Sequence, residues 1–164
     1  MEELNFTPEK STKDFRENYK LHDLAEEMGK NLLTQWGIHF QNFGQDKRYE
    51  KVWEKGKDKP DVIISYMGKK ALIDWKGKRK PVWLVNKRAV DSYTEWSKKF
   101  NMPMIICFFV FDSMGELKNR TFAFFGRHKY IESEKKQWDK NITIEFEKGL
   151  PEFTKANFLM YLNR

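Results

Sequence analysis

Apolar residues recur along the first quarter of the chain at the spacing of an amphipathic helix. Between Tyr19 and Trp36 the apolar positions on one face are Leu21, Leu24, Ala25, Met28, Leu32 and Leu33. Apolar residues three and four positions apart cover one side of an α-helix. Because Gly37 ends the pattern, we predict a helix that ends there and an irregular, polar arm over residues 1–15.

The next segments have the lengths and patterns of β-strands. Residues 38–43 alternate weakly, and two apolar runs, 61–66 and 70–76, flank the sequence Met67-Gly68-Lys69. Short apolar runs on both sides of a glycine-containing turn predict a β-hairpin. The basic stretch 47–59 fits either a strand or a loop.

The second half of the chain combines one helix with several strands. Residues 86–100 carry apolar side chains at helical spacing after Asn86, a residue type that caps helix N-termini. Residues 104–111 form an apolar run typical of a strand that is buried on both faces. The remaining predictions are strands at 120–125 and 141–146 and a closing helix at 154–162. The order α-β-β-β-α-β-β and a tail predicts one α/β domain over 1–164, with a mixed central sheet flanked by helices.

Composition narrows the class of protein. The chain has 164 residues, 34% of them charged and 16% aromatic, which is too polar for a membrane protein and too aromatic for a disordered tail. No signal-peptide pattern opens the sequence, and the single cysteine, Cys107, excludes a disulfide framework. We therefore expect an intracellular protein, in the cytoplasm or nucleoid, or in the host cytoplasm for a virus-encoded chain.

The positive charge is concentrated in one window. The formal net charge is +7, and residues 47–80 carry 12 Lys and Arg against 5 Asp and Glu, while the remaining residues carry 19 of each sign. A block of one sign in an otherwise balanced chain favours a polyanionic partner over a merely solvated surface.

The same window contains an acidic pair and a lysine. Side chains alternate along a strand, so Asp74 and Lys76 point to one face. If Gly68-Lys69 is a two-residue turn, Asp61 pairs with Lys76 and lies diagonal to Asp74, roughly 5–8 Å away. A three-residue turn would move Asp61 to the opposite face.

Two carboxylates and a lysine on one face suit phosphodiester hydrolysis. At that spacing both carboxylates can bind one Mg²⁺ at about 2.1 Å, and Mn²⁺ is expected to substitute for it. The ion binds the scissile phosphate and lowers the pKa of water, while the lysine orients water or stabilises charge on the phosphoryl oxygens. The alternative interpretation is a surface salt bridge on an exposed hairpin.

This segment resembles the PD-(D/E)XK nuclease superfamily, whose fold is restriction-endonuclease-like. The motif consists of Pro60-Asp61, twelve residues, and Asp74-Trp75-Lys76. The superfamily's preceding helical pattern, which carries a Glu, matches Glu26, Gly29, Leu33 and Gly37. The resemblance extends over residues 20–112 and implies an αβββαβ core, with residues 113–164 adding strands and a helix.

The resemblance also implies roles for individual residues. Asp61 and Asp74 would be metal ligands, with the backbone carbonyl of Trp75 as a third ligand and Lys76 as the catalytic lysine. Glu26 would be an accessory acid and metal ligand, and Glu27 is the adjacent alternative.

Basic residues that follow the motif are candidates for DNA binding. Lys78, Arg79 and Lys80 come directly after the catalytic strand and can grip the phosphate backbone, unless they form a solvated loop. Lys87 and Arg88 begin the second predicted helix and are further candidates.

The resemblance implies a Mg²⁺-dependent endonuclease that acts on DNA. Small members without an additional domain include Holliday-junction resolvases, so a homodimeric enzyme for branched DNA in recombination or repair is the leading subtype. A restriction or viral nuclease, RNA as substrate, and a non-catalytic nucleic-acid-binding or assembly protein remain as alternatives.

Overall fold

A computed structural model describes residues 8–43, 58–133 and 142–164, which form three helices and eight strands. The helices are α1 (Pro8–Gln35), α2 (Lys87–Phe100) and α3 (Lys155–Leu162). The strands are β1 (His39–Asn42), β2 (Val62–Tyr66), β3 (Lys69–Lys78), β4 (Leu84–Asn86), β5 (Met104–Phe111), β6 (Leu117–Phe124), β7 (Tyr130–Ser133) and β8 (Thr143–Phe146).

The centre of the fold is a five-stranded sheet with the strand order β1-β2-β3-β5-β6. Its neighbouring strands are antiparallel except β3 and β5, which are parallel and connected through β4 and α2. A parallel pair requires such a crossover. All eight side chains of β5 are buried, as its uninterrupted apolar sequence predicts.

Two hydrophobic layers cover the two faces of this sheet. One layer contains α1 and α3, and the other contains α2 with part of a second sheet in the order β4-β8-β7. Alternation along β3 directs Trp75 into the α1 layer and Leu72 into the α2 layer. Asp74 and Lys76 lie two and four residues after Leu72, so their side chains point to the same face of the sheet, the one covered by α2.

Helix α1 packs directly on β3 because two glycines leave room for the contact. A Cβ atom at Gly29 would lie 2.4 Å from the Trp75 ring, and one at Gly77 would lie 2.3 Å from the carbonyl oxygen of Leu21. Neither position has space for a methyl group, so this close approach requires glycine. The contact holds α1 against the strand that carries the acidic motif.

Several predicted boundaries are wrong for identifiable reasons. The arm predicted over 1–15 is helical from Pro8 onwards, consistent with the preference of proline for the first helical turn. Strands β4 and β7 were not predicted from the sequence. They have only three and four residues, too few for a recognisable alternation of apolar and polar positions.

Some predictions lie outside the described residues. Residues 1–7 and most of the undecided stretch 47–59 belong to this group, as does position 141. No helix in the described ranges is long and apolar enough to cross a membrane.

Candidate active site

The β2–β3 hairpin determines which acids meet. Its two-residue turn is Met67-Gly68, with φ angles of 49° and 83°, so Tyr66 pairs with Lys69 and Val62 with Ile73. Positive φ at both central positions is characteristic of the tight turns that join twisted strands. The predicted turn at Gly68-Lys69 is therefore one residue too late.

This correction changes the register by two residues, so every side chain keeps its predicted face. Asp61 does not pair with Lys76. Continuing the observed register by one residue sets Asp61 opposite Asp74. The Asp61 amide donates to the Ile73 carbonyl at 2.9 Å, and its Oδ2 atom accepts the Trp75 amide at 2.8 Å.

Two carboxyl groups thus lie together, that of Asp74 buried and that of Asp61 half-buried. Burial, followed by the neighbouring charge of Asp74, raises the pKa of Asp61 from 3.8 to about 8. The Trp75 amide and the Lys76 charge lower that pKa only in part. The Asp61 carboxyl therefore binds a proton at neutral pH.

Lys76 is the ionic partner of the buried acid. The Nζ atom of Lys76 lies 3.1 Å from Oδ2 of Asp74, and Asp74 is only 3% exposed. That oxygen has no hydrogen-bond partner of good geometry among the described residues. Burial alone would lower the pKa of Lys76. The charges of Asp74, Asp61 and Asp58 outweigh this effect, so the pKa is raised overall from its usual value of 10.5.

Two further residues belong to this cluster and were not predicted from the sequence. Burial, and then the charges of Asp74 and Asp61, raises the pKa of the Tyr93 phenol well above 10. The backbone carbonyl of Asp58 accepts hydrogen bonds from Ser92 Oγ at 2.6 Å and from Trp96 Nε1 at 2.9 Å. The loop that leads to Asp61 is therefore anchored on α2.

A cavity of about 270 Å³ opens beside Lys76 at the C-terminal end of β3. The polar and charged side chains that line it are His22, Asp58, Lys76, Lys78, Asn86, Arg88 and Tyr93. Asp61 and Asp74 do not themselves line the cavity, although Asp74 pairs with Lys76, which does. The cavity joins residues of α1, β3, β4 and α2 around the ammonium of Lys76.

The five predicted DNA-binding residues separate into two groups. Lys78 and Arg88 line the cavity; Lys78 donates to the Leu84 carbonyl at 2.6 Å, and Arg88 pairs with Asp58 at 3.0 Å.

The other three residues lie away from the cavity lining. Arg79 donates to the Asp112 carbonyl, Lys80 is exposed, and Lys87 pairs with Asp91 at 3.0 Å. Their role in DNA binding remains a prediction.

The structure does not bring Glu26 to the two aspartates. Its carboxylate lies 2.8 Å from the Lys30 ammonium and 3.8 Å from His22, and Glu27 is exposed. Within the described part of the chain, no group of three His, Cys, Asp or Glu side chains could hold a metal ion.

The residues that are brought together nevertheless fit a hard divalent cation. Mg²⁺ is commonly held by one or two carboxylates, with water and substrate phosphate completing its shell. Asp61 and Asp74 supply two such carboxyls, and the buried Oδ2 atom of Asp74 still has acceptor capacity. The donor set is all oxygen, as Mg²⁺ and Mn²⁺ prefer.

Comparison with known proteins supports the fold. No protein-family model and no curated protein matches the chain. One similar solved structure is Hjc of the archaeal hyperthermophile Archaeoglobus fulgidus, a Holliday junction resolvase, with a TM-score of 0.50 and 12% sequence identity. The match covers 79% of this chain and 98% of the resolvase chain. The prediction of a mixed sheet flanked by helices, of the restriction-endonuclease-like type, is confirmed.

Proposed function

We propose that this chain is a metal-dependent deoxyribonuclease of the PD-(D/E)XK type and that branched DNA is its substrate. The observation that carries the proposal is the pair of half-buried Asp61 and buried Asp74 on neighbouring strands, with the Lys76 ammonium 3.1 Å from Asp74. The similar fold of a Holliday junction resolvase supports the substrate class only by analogy.

A buried acid pair is costly, which favours a functional role for it. Desolvation, and then repulsion by the charge of Asp74, raises the pKa of Asp61 to about 8, so the fold is less stable than it would be with a neutral residue there. Strongly perturbed acids beside a polar cavity are typical of catalytic sites. A divalent cation would replace the proton and relieve the repulsion.

The chain's residues divide the work of hydrolysis. Asp61, Asp74 and the Trp75 carbonyl would hold Mg²⁺ or Mn²⁺. The ion would neutralise charge at the scissile phosphate and make water a better nucleophile. Lys76, held by Asp74 at the cavity wall, would orient the attacking water or stabilise negative charge on the phosphoryl oxygens.

The surrounding charge suits a DNA backbone. Lys78 and Arg88 line the cavity, and Arg79, Lys80 and Lys87 lie on segments that flank it in sequence. Basic side chains in such positions attract the phosphates of DNA without distinguishing one base sequence from another. Cutting a four-way junction symmetrically requires two active sites, so the proposal includes a homodimer.

A cleavage assay tests the proposal. Wild type, Asp74→Asn and Lys76→Met are incubated with plasmid, linear duplex, four-way junction and RNA, each in Mg²⁺, Mn²⁺ or EDTA. Matched controls are Asp23→Asn and Lys70→Met, which change exposed residues of the same types. Light scattering coupled to gel filtration measures the oligomeric state.

We expect metal-dependent cutting, fastest on the junction, that the two site variants lose and the two controls retain. Loss of one catalytic side chain typically reduces the rate of the reaction by about 10³-fold or more. Equal cutting by Asp74→Asn and wild type would refute the site assignment.

A non-catalytic nucleic-acid-binding protein is the second candidate function. It is favoured because, among the described residues, no group of three His, Cys, Asp or Glu side chains could hold a metal ion. Binding of the junction without cutting in any metal would support it.

A further inference from the structure

We propose that Lys78 is the proton donor for the leaving oxygen when the DNA backbone is cut. This inference rests on the proposed function. It assigns Lys78 to the reacting atoms, whereas the sequence alone suggests a residue that grips the DNA backbone.

The position of Lys78 along β3 is the first argument. Asp74, Lys76 and Lys78 alternate onto one face, opposite Ile106, Phe108 and Val110 of β5. At about 3.3 Å per residue, the Cα atoms of Asp74 and Lys78 lie roughly 13 Å apart, with Lys76 between them.

In-line displacement at phosphorus needs groups on opposite sides. The attacking and leaving oxygens lie at the two ends of one axis through the phosphorus atom. If water attacks from the end of the aspartate pair, a phosphate beside Lys76 directs its leaving oxygen toward Lys78. The cavity that Lys76 and Lys78 share provides space for that phosphate.

The surroundings of Lys78 make it a better proton donor than its neighbour. Its ammonium donates to the Leu84 carbonyl at 2.6 Å and lies 6.0 Å from the centre of the Phe108 ring. An ammonium has three donors, so others remain for a ligand in the cavity. Among the described residues no carboxylate forms an ion pair with Lys78, in contrast to Lys76.

The pKa of Lys78 agrees with this geometry. Burial, and then the charge of Lys76, lowers it from 10.5 to about 8. A general acid works best when its pKa lies near the working pH.

The chemical step is balanced without further reactants. The water oxygen forms a bond to phosphorus while the bond from phosphorus to the deoxyribose oxygen breaks. The leaving oxygen keeps that electron pair and takes a proton from the Lys78 ammonium. The neutral amine then regains a proton from solvent, and the proton of the attacking water is released to solvent.

Substrates with a sulfur leaving group test the role directly. A bridging sulfur replaces either the 3′ or the 5′ oxygen at the mapped cleavage position, because a thiolate leaves without protonation. Wild type, Lys78→Met and the control Lys70→Met, an exposed lysine on the same strand face, are assayed in Mn²⁺. Binding of uncut DNA is measured in EDTA.

We expect Lys78→Met to cut the normal substrate about 10²-fold more slowly or worse, and to match wild type on one of the two sulfur substrates. DNA binding should weaken far less than cutting, because Lys76 and Arg88 also line the cavity. A defect that persists on both sulfur substrates, or a defect only in binding, would overturn the role. A wild type that cuts nothing refutes the proposed function and this role with it.

A second variant guards against misfolding. In Lys78→Cys, alkylation with bromoethylamine rebuilds an amine at nearly the same position, and the chain's other cysteine, Cys107, is fully buried. Cutting of the normal substrate should return on alkylation. Failure to return, in a variant with a wild-type circular dichroism spectrum, contradicts the role.

Discussion

Replacing Asp61 by Asn should stabilise the protein and at the same time remove one of the two carboxylates proposed to bind the metal. The Asn amide is neutral, and its oxygen can still accept the Trp75 amide, which now donates to Asp61 Oδ2 at 2.8 Å. The variant therefore keeps the hydrogen bond and removes the charge that burial and Asp74 disfavour. Active-site residues are commonly retained at the expense of stability.

The pH dependence follows from the pKa of Asp61 in the two states. The folded value is about 8 and the unfolded value is near 3.8. Between these values the folded state holds a proton that the unfolded chain has released, so wild-type stability falls as pH rises from about 4 to about 8. The stability of Asp61→Asn should not show this fall between about pH 4 and pH 8, because Asn has no carboxyl to titrate.

The size of the effect is large enough to measure. The gain in unfolding free energy of Asp61→Asn over wild type should be about 2 kcal/mol at pH 5 and about 4 kcal/mol at pH 7. Above pH 8 the gain should level off at about 6 kcal/mol, because Asp61 ionises in both states.

Urea unfolding in EDTA, followed by tryptophan fluorescence at four pH values between 5 and 9, measures these differences. The control Asp23→Asn, an exposed aspartate on α1, should differ from wild type by less than about 0.5 kcal/mol throughout. A gain for Asp61→Asn that is zero, negative or independent of pH would refute the electrostatic reasoning.

Three further predictions concern the metal, the helix contact and the hairpin. Mg²⁺ affinity in calorimetry should rise from pH 6 to about 8 with release of a proton from Asp61, and a flat profile contradicts this. Gly29→Ala should lower the free energy of unfolding by about 1–3 kcal/mol in thermal unfolding, since its Cβ would meet the Trp75 ring at 2.4 Å. The control Asn31→Ala, at an exposed position of the same helix, should not show this loss. Met67→Asn should stabilise the hairpin by about 1 kcal/mol in urea, because Met67 has a φ of 49°; no gain argues against strain there.

The hairpin illustrates what the sequence could and could not predict. A glycine between two apolar runs located the turn to within one residue, and period-two alternation placed Asp61, Asp74 and Lys76 on one face. The exact turn was missed because Met67 adopts a positive φ, a conformation that its side chain disfavours.

Other parts of the site have no local signal. Tyr93 occupies an apolar position of α2, and nothing in its spacing shows that its hydroxyl faces two acids. Asp58 reaches the cluster through hydrogen bonds to Ser92 and Trp96, more than thirty residues away in the chain. Glu26 lies at the spacing of the superfamily pattern, yet i,i+4 pairing with Lys30 and His22 occupies it.

The hydrophobic core and the candidate site require the same strand register. A one-residue slip of β2 against β3 would turn Val62 and Ile64, both fully buried in the α1 layer, to the other face of the sheet. Losing their burial would cost about 3–6 kcal/mol, and the slip would also press the Asp61 carboxyl into that apolar layer. This penalty is comparable to the cost of keeping Asp61 next to Asp74, so folding of the hydrophobic core is sufficient to keep both acids on the same face of the sheet before any metal binds.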